Sequence, residues 1–198
     1  MKNQLIILLL MVGCYACKNE NGKKVDAEIN SEQEKSYLPI TDFIKEDIKQ
    51  VDSFAGGILL KTTGGNKHDS LFIQPEAFKN LANEFLLPDL DSAIFYNRFT
   101  ETSLMDETTQ MLNFIYMADT TTTSLRKVIV YVSPSKSYDK VSRIYMEKET
   151  RMGDTTISYK MTWKIKQYLV IAAIKQAPGG YSSTRIQKAI WDPQHYAD

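Results

Sequence analysis

Two segments in the first half of the chain carry apolar residues at three- and four-residue spacing, which predicts helices with one apolar face. The first covers residues 41–51 and begins at a Thr-Asp pair that can cap it. The second covers residues 75–86, where Pro75 suits the first helical turn and Pro88 ends the segment. We therefore expect two amphipathic helices before the middle of the chain.

Two short apolar runs lie between the predicted helices. Residues 58–63 and 70–73 flank a Gly-Gly-Asn sequence, and this arrangement predicts a β-hairpin. Residues 91–105 fit both a strand and a short helix, so the pattern leaves their structure open.

The second half of the chain changes to strand-like patterns. Its segments are rich in β-branched and aromatic residues, which favour strands, and short loops with turn-forming residues separate them. They are residues 108–118, 125–133, 140–149, 155–163, 168–176 and 182–191. Because no helix intervenes, consecutive strands should pair with each other as an antiparallel meander.

Two of these strands are apolar on both faces, in residues 112–117 and 169–174. Continuous apolar sequence is typical of a strand that is covered on both sides. We therefore expect a bent or partly wrapped sheet with a filled core. The predicted fold class is α+β: a curved antiparallel meander sheet of about six strands, preceded by two helices and a short hairpin that pack on one face.

The N-terminus has the pattern of a secretion signal. Lys2 precedes an apolar run from Leu5 to Val12, and Cys14 and Cys17 follow that run. A helix that spans a membrane needs about 20 apolar residues. This run is too short to span, and it suits the apolar region of a signal peptide.

A cysteine after a small residue at the end of such a signal is typical of bacterial lipidation. Cys14 follows Gly13 and gives the better lipobox sequence, whereas Cys17 follows Ala16, leaves a longer signal and directly precedes polar sequence. We favour Cys17 and keep Cys14 as the alternative. An ordinary signal peptide with unmodified cysteines and a short hydrophobic anchor also stay open. Several acyl chains hold a protein firmly at a membrane.

The short Leu/Ile-rich signal, ending in Cys-Lys-Asn-Glu-Asn, resembles those of small Bacteroidota lipoproteins. The resemblance is confined to the signal and the start of the tether. It implies a lipid anchor in the bacterial envelope, at the periplasmic or surface face of the outer membrane, and it carries no activity. We divide the chain into a signal peptide (1–16), a flexible polar tether (17–36) and a single globular domain (37–198).

Composition excludes some classes of function. The chain has 24 basic and 24 acidic side chains and lacks a basic block, which gives no electrostatic basis for nucleic-acid binding. Both cysteines precede the globular domain, so this domain forms no disulfide and must fold by burial of apolar surface. We expect no cofactor, because the Gly-Gly pairs do not precede helices as they do in phosphate-binding loops.

Side chains suited to catalysis or metal binding are sparse. His68 and His195 lack metal-ligand partners at helical or strand spacing. Four carboxylates occur as two close pairs in predicted loops: Asp89, Asp91, Asp106 and Glu107. A hydrolase would require a buried pair among these four, with pKa values that the environment separates.

The aromatic residues of the meander are the remaining functional signal. Tyr and Trp are favoured at recognition surfaces, although strands favour them too. We take Tyr181, Trp191 and Tyr196 as candidate partner contacts. The favoured hypothesis is a non-catalytic, membrane-tethered domain that binds a partner protein, a glycan or a small apolar ligand. The alternatives are a structural or assembly lipoprotein without a ligand, and a hydrolase with an acidic site.

Overall fold

The structure is a computed structural model, and it describes residues 37–53, 56–133 and 140–197. The predicted signal peptide and tether, with Cys14 and Cys17, lie outside the described residues, so their roles stay predictions. Within the described ranges, none of the helices combines the length and the apolar character that crossing a membrane requires.

The helices within these ranges are α1 (Ile40–Ser53), α2 (Pro75–Asn83) and α3 (Ser92–Arg98). The strands are β1 (Ile58–Gly64), β2 (Lys67–Ile73), β3 (Phe99–Asp106), β4 (Met111–Ala118), β5 (Leu125–Ser133), β6 (Lys140–Met152), β7 (Thr155–Lys164), β8 (Tyr168–Gln176) and β9 (Ser182–Ile190). Helices α1 and α2 occupy the two segments in which apolar residues recur at helical spacing.

All nine strands of the described residues form one antiparallel sheet, in the order β2-β1-β9-β8-β7-β6-β5-β4-β3. The predicted α+β fold with a six-stranded meander and a separate hairpin is therefore wrong. The hairpin β1–β2 joins the sheet because β1 pairs with β9, from Leu59 opposite Ile190 to Gly64 opposite Arg185. The segment that the pattern left open supplies both α3 and a further strand, β3, which pairs with β4.

One face of the sheet, here called the inner face, packs against the helices. Cross-strand pairing places fully buried side chains next to each other along this face: Val130, Ile144, Trp163 and Leu169. The helices contribute Ile44, Phe78 and Phe95 to the same core. The Trp163 ring lies 5.2 Å from that of Phe85, so aromatic rings fill the space between sheet and helices.

The opposite face, here called the outer face, carries the alternate residues of each strand. The buried sides of all three described helices belong to the inner core. On the outer face of β4, Met117 is 48% exposed. The prediction that residues 112–117 are covered on both sides is therefore wrong at Met117.

Candidate functional site

The structure separates the aromatic residues that the sequence singled out. Tyr181 precedes β9 and is 63% exposed, whereas Trp191 follows β9 and packs in the core, 5.3 Å from the Phe78 ring. The Tyr196 hydroxyl donates a hydrogen bond to the Gly57 carbonyl. Because β9 has nine residues at about 3.4 Å each, Tyr181 and Trp191 lie at opposite ends of the strand. These two residues therefore cannot contribute to one contact patch.

Three of the four carboxylates that a hydrolase would use accept hydrogen bonds within the fold: Asp89, Asp91 and Asp106. Asp91 accepts a hydrogen bond from the Ala93 amide, 3.1 Å away, at the start of α3. Asp106 accepts hydrogen bonds from Thr109 and Thr108 in the β3–β4 turn, and these bonds hold the pKa of Asp106 below its ordinary value. None of the four carboxylates is buried. They do not form the buried pair that the hydrolase alternative requires.

The two histidines contact polar side chains near the surface. His68 Nδ1 lies 3.2 Å from the Thr63 hydroxyl, and His195 Nε2 lies 3.7 Å from the Asp192 carboxylate. Across the part of the chain that the structure describes, no three His, Cys, Asp or Glu side chains are grouped to hold a metal ion.

A line of aromatic and basic side chains crosses the outer face, one from each strand from β5 to β9. We call it the basic row: Tyr131, Arg143, Lys164, Tyr168 and Lys188. The strand register places Tyr131 opposite Arg143, Arg143 opposite Lys164, and Lys164 opposite Tyr168. Lys188 lies diagonally from Tyr168 on the same face. With neighbouring strands about 4.8 Å apart, the row is about 19 Å long.

Two of the three cations of the basic row, Arg143 and Lys188, each lie over a tyrosine ring. The Arg143 guanidinium carbon lies 3.9 Å from the centre of the Tyr131 ring, and the Lys188 ammonium lies 4.5 Å from that of Tyr168. The electron-rich face of an aromatic ring attracts a cation. The rings therefore hold both cations at the sheet surface, and Arg143 remains exposed there.

The centre of the row is a like-charge pair. Arg143 and Lys164 face each other on adjacent strands, an arrangement that destabilises a sheet. Partial burial, together with the positive charge of Arg143, lowers the pKa of Lys164. Among the described residues, no carboxylate lies within 4.0 Å of the charged nitrogens of Arg143, Lys164 or Lys188. Glu147, on the same face of β6, accepts a hydrogen bond from the Tyr145 hydroxyl instead, at 2.8 Å.

A β-bulge sets the position of Arg143. Between the pairs Tyr131–Arg143 and Val132–Val141, Ser142 is an extra residue of β6, and its hydroxyl donates to the Tyr131 carbonyl at 3.1 Å. A one-residue change of register moves every following side chain to the other face. The bulge therefore decides that Arg143 lies on the outer face beside Lys164.

Comparison with known proteins leaves the chain without a family assignment: no protein-family model, curated protein or solved structure matches it. The case for a function therefore rests on the sequence and on the geometry of the two faces.

Proposed function

We propose that this chain is a lipid-anchored protein of the bacterial envelope whose globular domain binds an anionic polysaccharide at the basic row, without catalysing a reaction. The Arg143–Lys164 pair carries the binding part of the proposal. Two like charges side by side lower stability. A carboxylate or sulfate group placed between them turns the repulsion into attraction for both.

The charge of the outer face supports an anionic ligand. On β5 to β9 the strand registers place these basic residues on this face: Lys127, Lys140, Arg143, Arg151, Lys160, Lys164 and Lys188. The acidic residues there are Glu147 and Glu149. The outer face of these strands is therefore positive, although the whole chain has equal numbers of basic and acidic side chains.

The arrangement of the row favours a linear sugar polymer over other anions. Tyr131 and Tyr168 hold Arg143 and Lys188 in place along the row, and a guanidinium group binds a carboxylate through two parallel N–H donors. The row is about 19 Å long and one residue wide, as calculated from the strand spacing. A membrane surface would contact the whole outer face, whereas a polymer chain follows one line. Aromatic rings fill the space around Trp163, which disfavours a large apolar ligand between the sheet and the helices.

Binding of a defined anionic oligosaccharide tests the proposal. We expect a galacturonic acid hexamer to bind the full-length chain and a neutral maltohexaose to bind at least tenfold more weakly, as measured by isothermal titration calorimetry. Replacing both central cations, in Arg143→Gln with Lys164→Gln, should weaken galacturonate binding more than tenfold, because each lost charge-assisted hydrogen bond contributes roughly 1.5–3 kcal/mol.

The matched control replaces two exposed lysines of α1, in Lys45→Gln with Lys49→Gln, and should leave the affinity within about twofold. If both double variants weaken hexamer binding equally, the effect comes from net charge alone, and this result would contradict specific binding at the basic row. Binding to anionic phospholipid vesicles without binding to the hexamer would assign the row to a membrane surface.

The lipid anchor needs a separate test. Mass spectrometry of the mature N-terminus, after expression in a bacterium that processes lipoproteins, should find an acylated Cys17, and Cys17→Ala should release the protein from the membrane. Acylation of Cys14 would support the lipid anchor and assign it to Cys14 instead of Cys17. Unmodified sulfur at both positions would reject the anchor.

A further inference from the structure

A single acidic residue lies within the apolar side of α1. Asp47 is 2% exposed, and it stands between Ile44 and Val51, which both belong to the inner core. A buried carboxylate needs hydrogen bonds because water cannot reach it. The partners of Asp47 therefore decide whether its role is structural alone.

Within the described ranges, hydrogen bonds reach one of the two carboxylate oxygens of Asp47. The Trp163 indole N–H donates to Oδ2 at 2.8 Å, and the Lys166 backbone N–H donates to the same atom at 2.9 Å. Oδ1 is buried and accepts no hydrogen bond from the described residues. Burial raises the pKa of Asp47, against the effect of these two hydrogen bonds. The fold thus anchors one oxygen and leaves the other as an unused acceptor.

Asp47 lines two cavities that also share Gln50 and Lys166. The smaller one, here called the Asp47 cavity, has a volume of about 200 Å³. Pockets that bind drug-sized ligands are about 300–1,000 Å³, so this one is smaller. A ligand of this cavity is therefore a small molecule and not a polymer.

The lining of the Asp47 cavity combines apolar surface with negative charge. Val51, Trp191 and Pro193 supply the apolar wall, and Asp47 and Asp192 supply two carboxylates. The cation in the lining is Lys166, whose side chain is exposed and whose charged nitrogen forms no ion pair with Asp47 within 4.0 Å. Acidic groups thus outnumber basic groups around a tryptophan ring, which itself attracts cations.

We propose that the Asp47 cavity binds a small primary alkylammonium ion, whose N–H donates to Oδ1 of Asp47 while its alkyl chain packs against Trp191, Val51 and Pro193. The ammonium group supplies the donor that Oδ1 lacks and compensates the buried charge. Gln50, whose side chain is exposed, also lines this cavity. The larger cavity that Asp47 also lines includes Lys164, so this site adjoins the basic row, whereas Lys164 does not line the Asp47 cavity itself.

The two tryptophans of the chain report directly on this cavity. Trp163 donates to Asp47 and Trp191 lines the cavity, so both indole N–H signals in a ¹H–¹⁵N correlation spectrum are probes. We expect n-butylammonium chloride, titrated into the full-length chain at constant ionic strength, to shift both signals to saturation. Tetramethylammonium has the same charge but no N–H donor and should bind at least tenfold more weakly.

Asp47→Asn is the decisive variant, because the amide keeps an acceptor for Trp163 and Lys166 but presents an N–H group in place of the unused acceptor. It should weaken butylammonium binding at least tenfold. Asp42→Asn makes the same chemical change in the exposed first turn of α1 and should leave binding unchanged. Asp192→Asn, which keeps Asp47 intact, should weaken binding about threefold and covers the case in which Asp47→Asn does not fold. Shifts that do not saturate, equal binding of tetramethylammonium, or unchanged binding in both Asp47→Asn and Asp192→Asn would overturn the proposal.

Discussion

The two sides of the sheet differ in how their charged side chains are compensated. The inner face buries Asp47 and supplies two N–H donors to one of its oxygens. The outer face holds Arg143 and Lys164 side by side and supplies no carboxylate within 4.0 Å among the described residues. A buried charge must be satisfied by the fold, whereas an exposed one is hydrated. A polar atom without a hydrogen-bond partner therefore costs more free energy on the inner face than on the outer face. The outer face can carry like charges at a modest cost in stability.

Two consecutive residues of β7 connect these environments. Trp163 points to the inner face and donates to Asp47, and Lys164 points to the outer face and lies opposite Arg143. Strand alternation places them on opposite sides of the same backbone. Stability and binding can therefore be changed separately by substitutions one residue apart.

The largest difference between the faces should appear when an aromatic side chain is removed. We expect Trp163→Ala to lower the free energy of unfolding by about 3–5 kcal/mol, because it leaves a cavity among Phe78, Phe85 and Trp191 and removes a donor to Asp47. Tyr131→Ala, on the half-buried outer face, should cost less than about 2 kcal/mol. Urea unfolding of both variants measures the contrast, and equal losses would contradict the assignment of inner and outer faces.

Asp47 should show a smaller effect that depends on the replacement. Asp47→Ala leaves the N–H groups of Trp163 and Lys166 without an acceptor, at a cost of roughly 1–3 kcal/mol for each. Asp47→Asn keeps the acceptor and removes the buried charge, so its unfolding free energy should stay within about 1 kcal/mol of the wild type. Equal destabilisation by both variants in urea unfolding would show that the negative charge itself holds the helix.

Local pattern was sufficient for much of the fold and insufficient for its edges. The 3.6-residue spacing located α1 and α2, and segments rich in β-branched and aromatic residues between turn-forming loops located the strands from β4 to β9. Residues 91–105 remained open because Phe95 and Phe99 suit a helix and a strand equally; their rings stack 4.5 Å apart at the junction of α3 and β3. The pairing of β1 with β9 is a long-range contact, which neither segment encodes alone.

The candidate sites differ in how far the sequence could reveal them. Asp47 carries a local signal, because one acid stands among apolar residues at helical spacing in α1. The basic row carries none, since its members come from five strands and their alignment depends on the bulge at Ser142. Trp191, chosen from the sequence as a contact residue, packs in the core because a tryptophan at a strand end fills space as readily as it binds a partner.

The pH dependence of stability should separate a buried acid from an exposed one. Burial raises the pKa of Asp47, with Glu46 adding to this effect and Trp163 and Lys166 opposing it. The folded state then holds the proton more tightly than the unfolded state, whose Asp pKa is about 3.9. Wild-type stability relative to Asp47→Asn should therefore fall as pH rises from about 4 through the raised pKa of Asp47.

Asp106 should give the opposite slope at lower pH. Hydrogen bonds from Thr109 and Thr108 lower its pKa, so the stability that it contributes is present above about pH 4 and is lost as pH falls through the lowered pKa. Urea unfolding of Asp47→Asn, Asp106→Asn and the wild type from pH 2.5 to 8 measures both slopes. A flat difference for Asp47→Asn would mean that Asp47 does not titrate with a raised pKa.

The smallest expected effect is the repulsion within the basic row, and a double-mutant cycle can measure it. The cycle compares Arg143→Gln, Lys164→Gln and the double variant, and the contact of Arg143 with Tyr131 largely cancels in the difference. We expect an unfavourable interaction of roughly 0.2–1 kcal/mol between the two cations, which 1 M NaCl should reduce. Saturating galacturonate hexamer should reverse its sign, because one anion would then attract both side chains. An interaction that is favourable without ligand would mean that another group already compensates the pair, and it would remove the main support for an anionic ligand at this face.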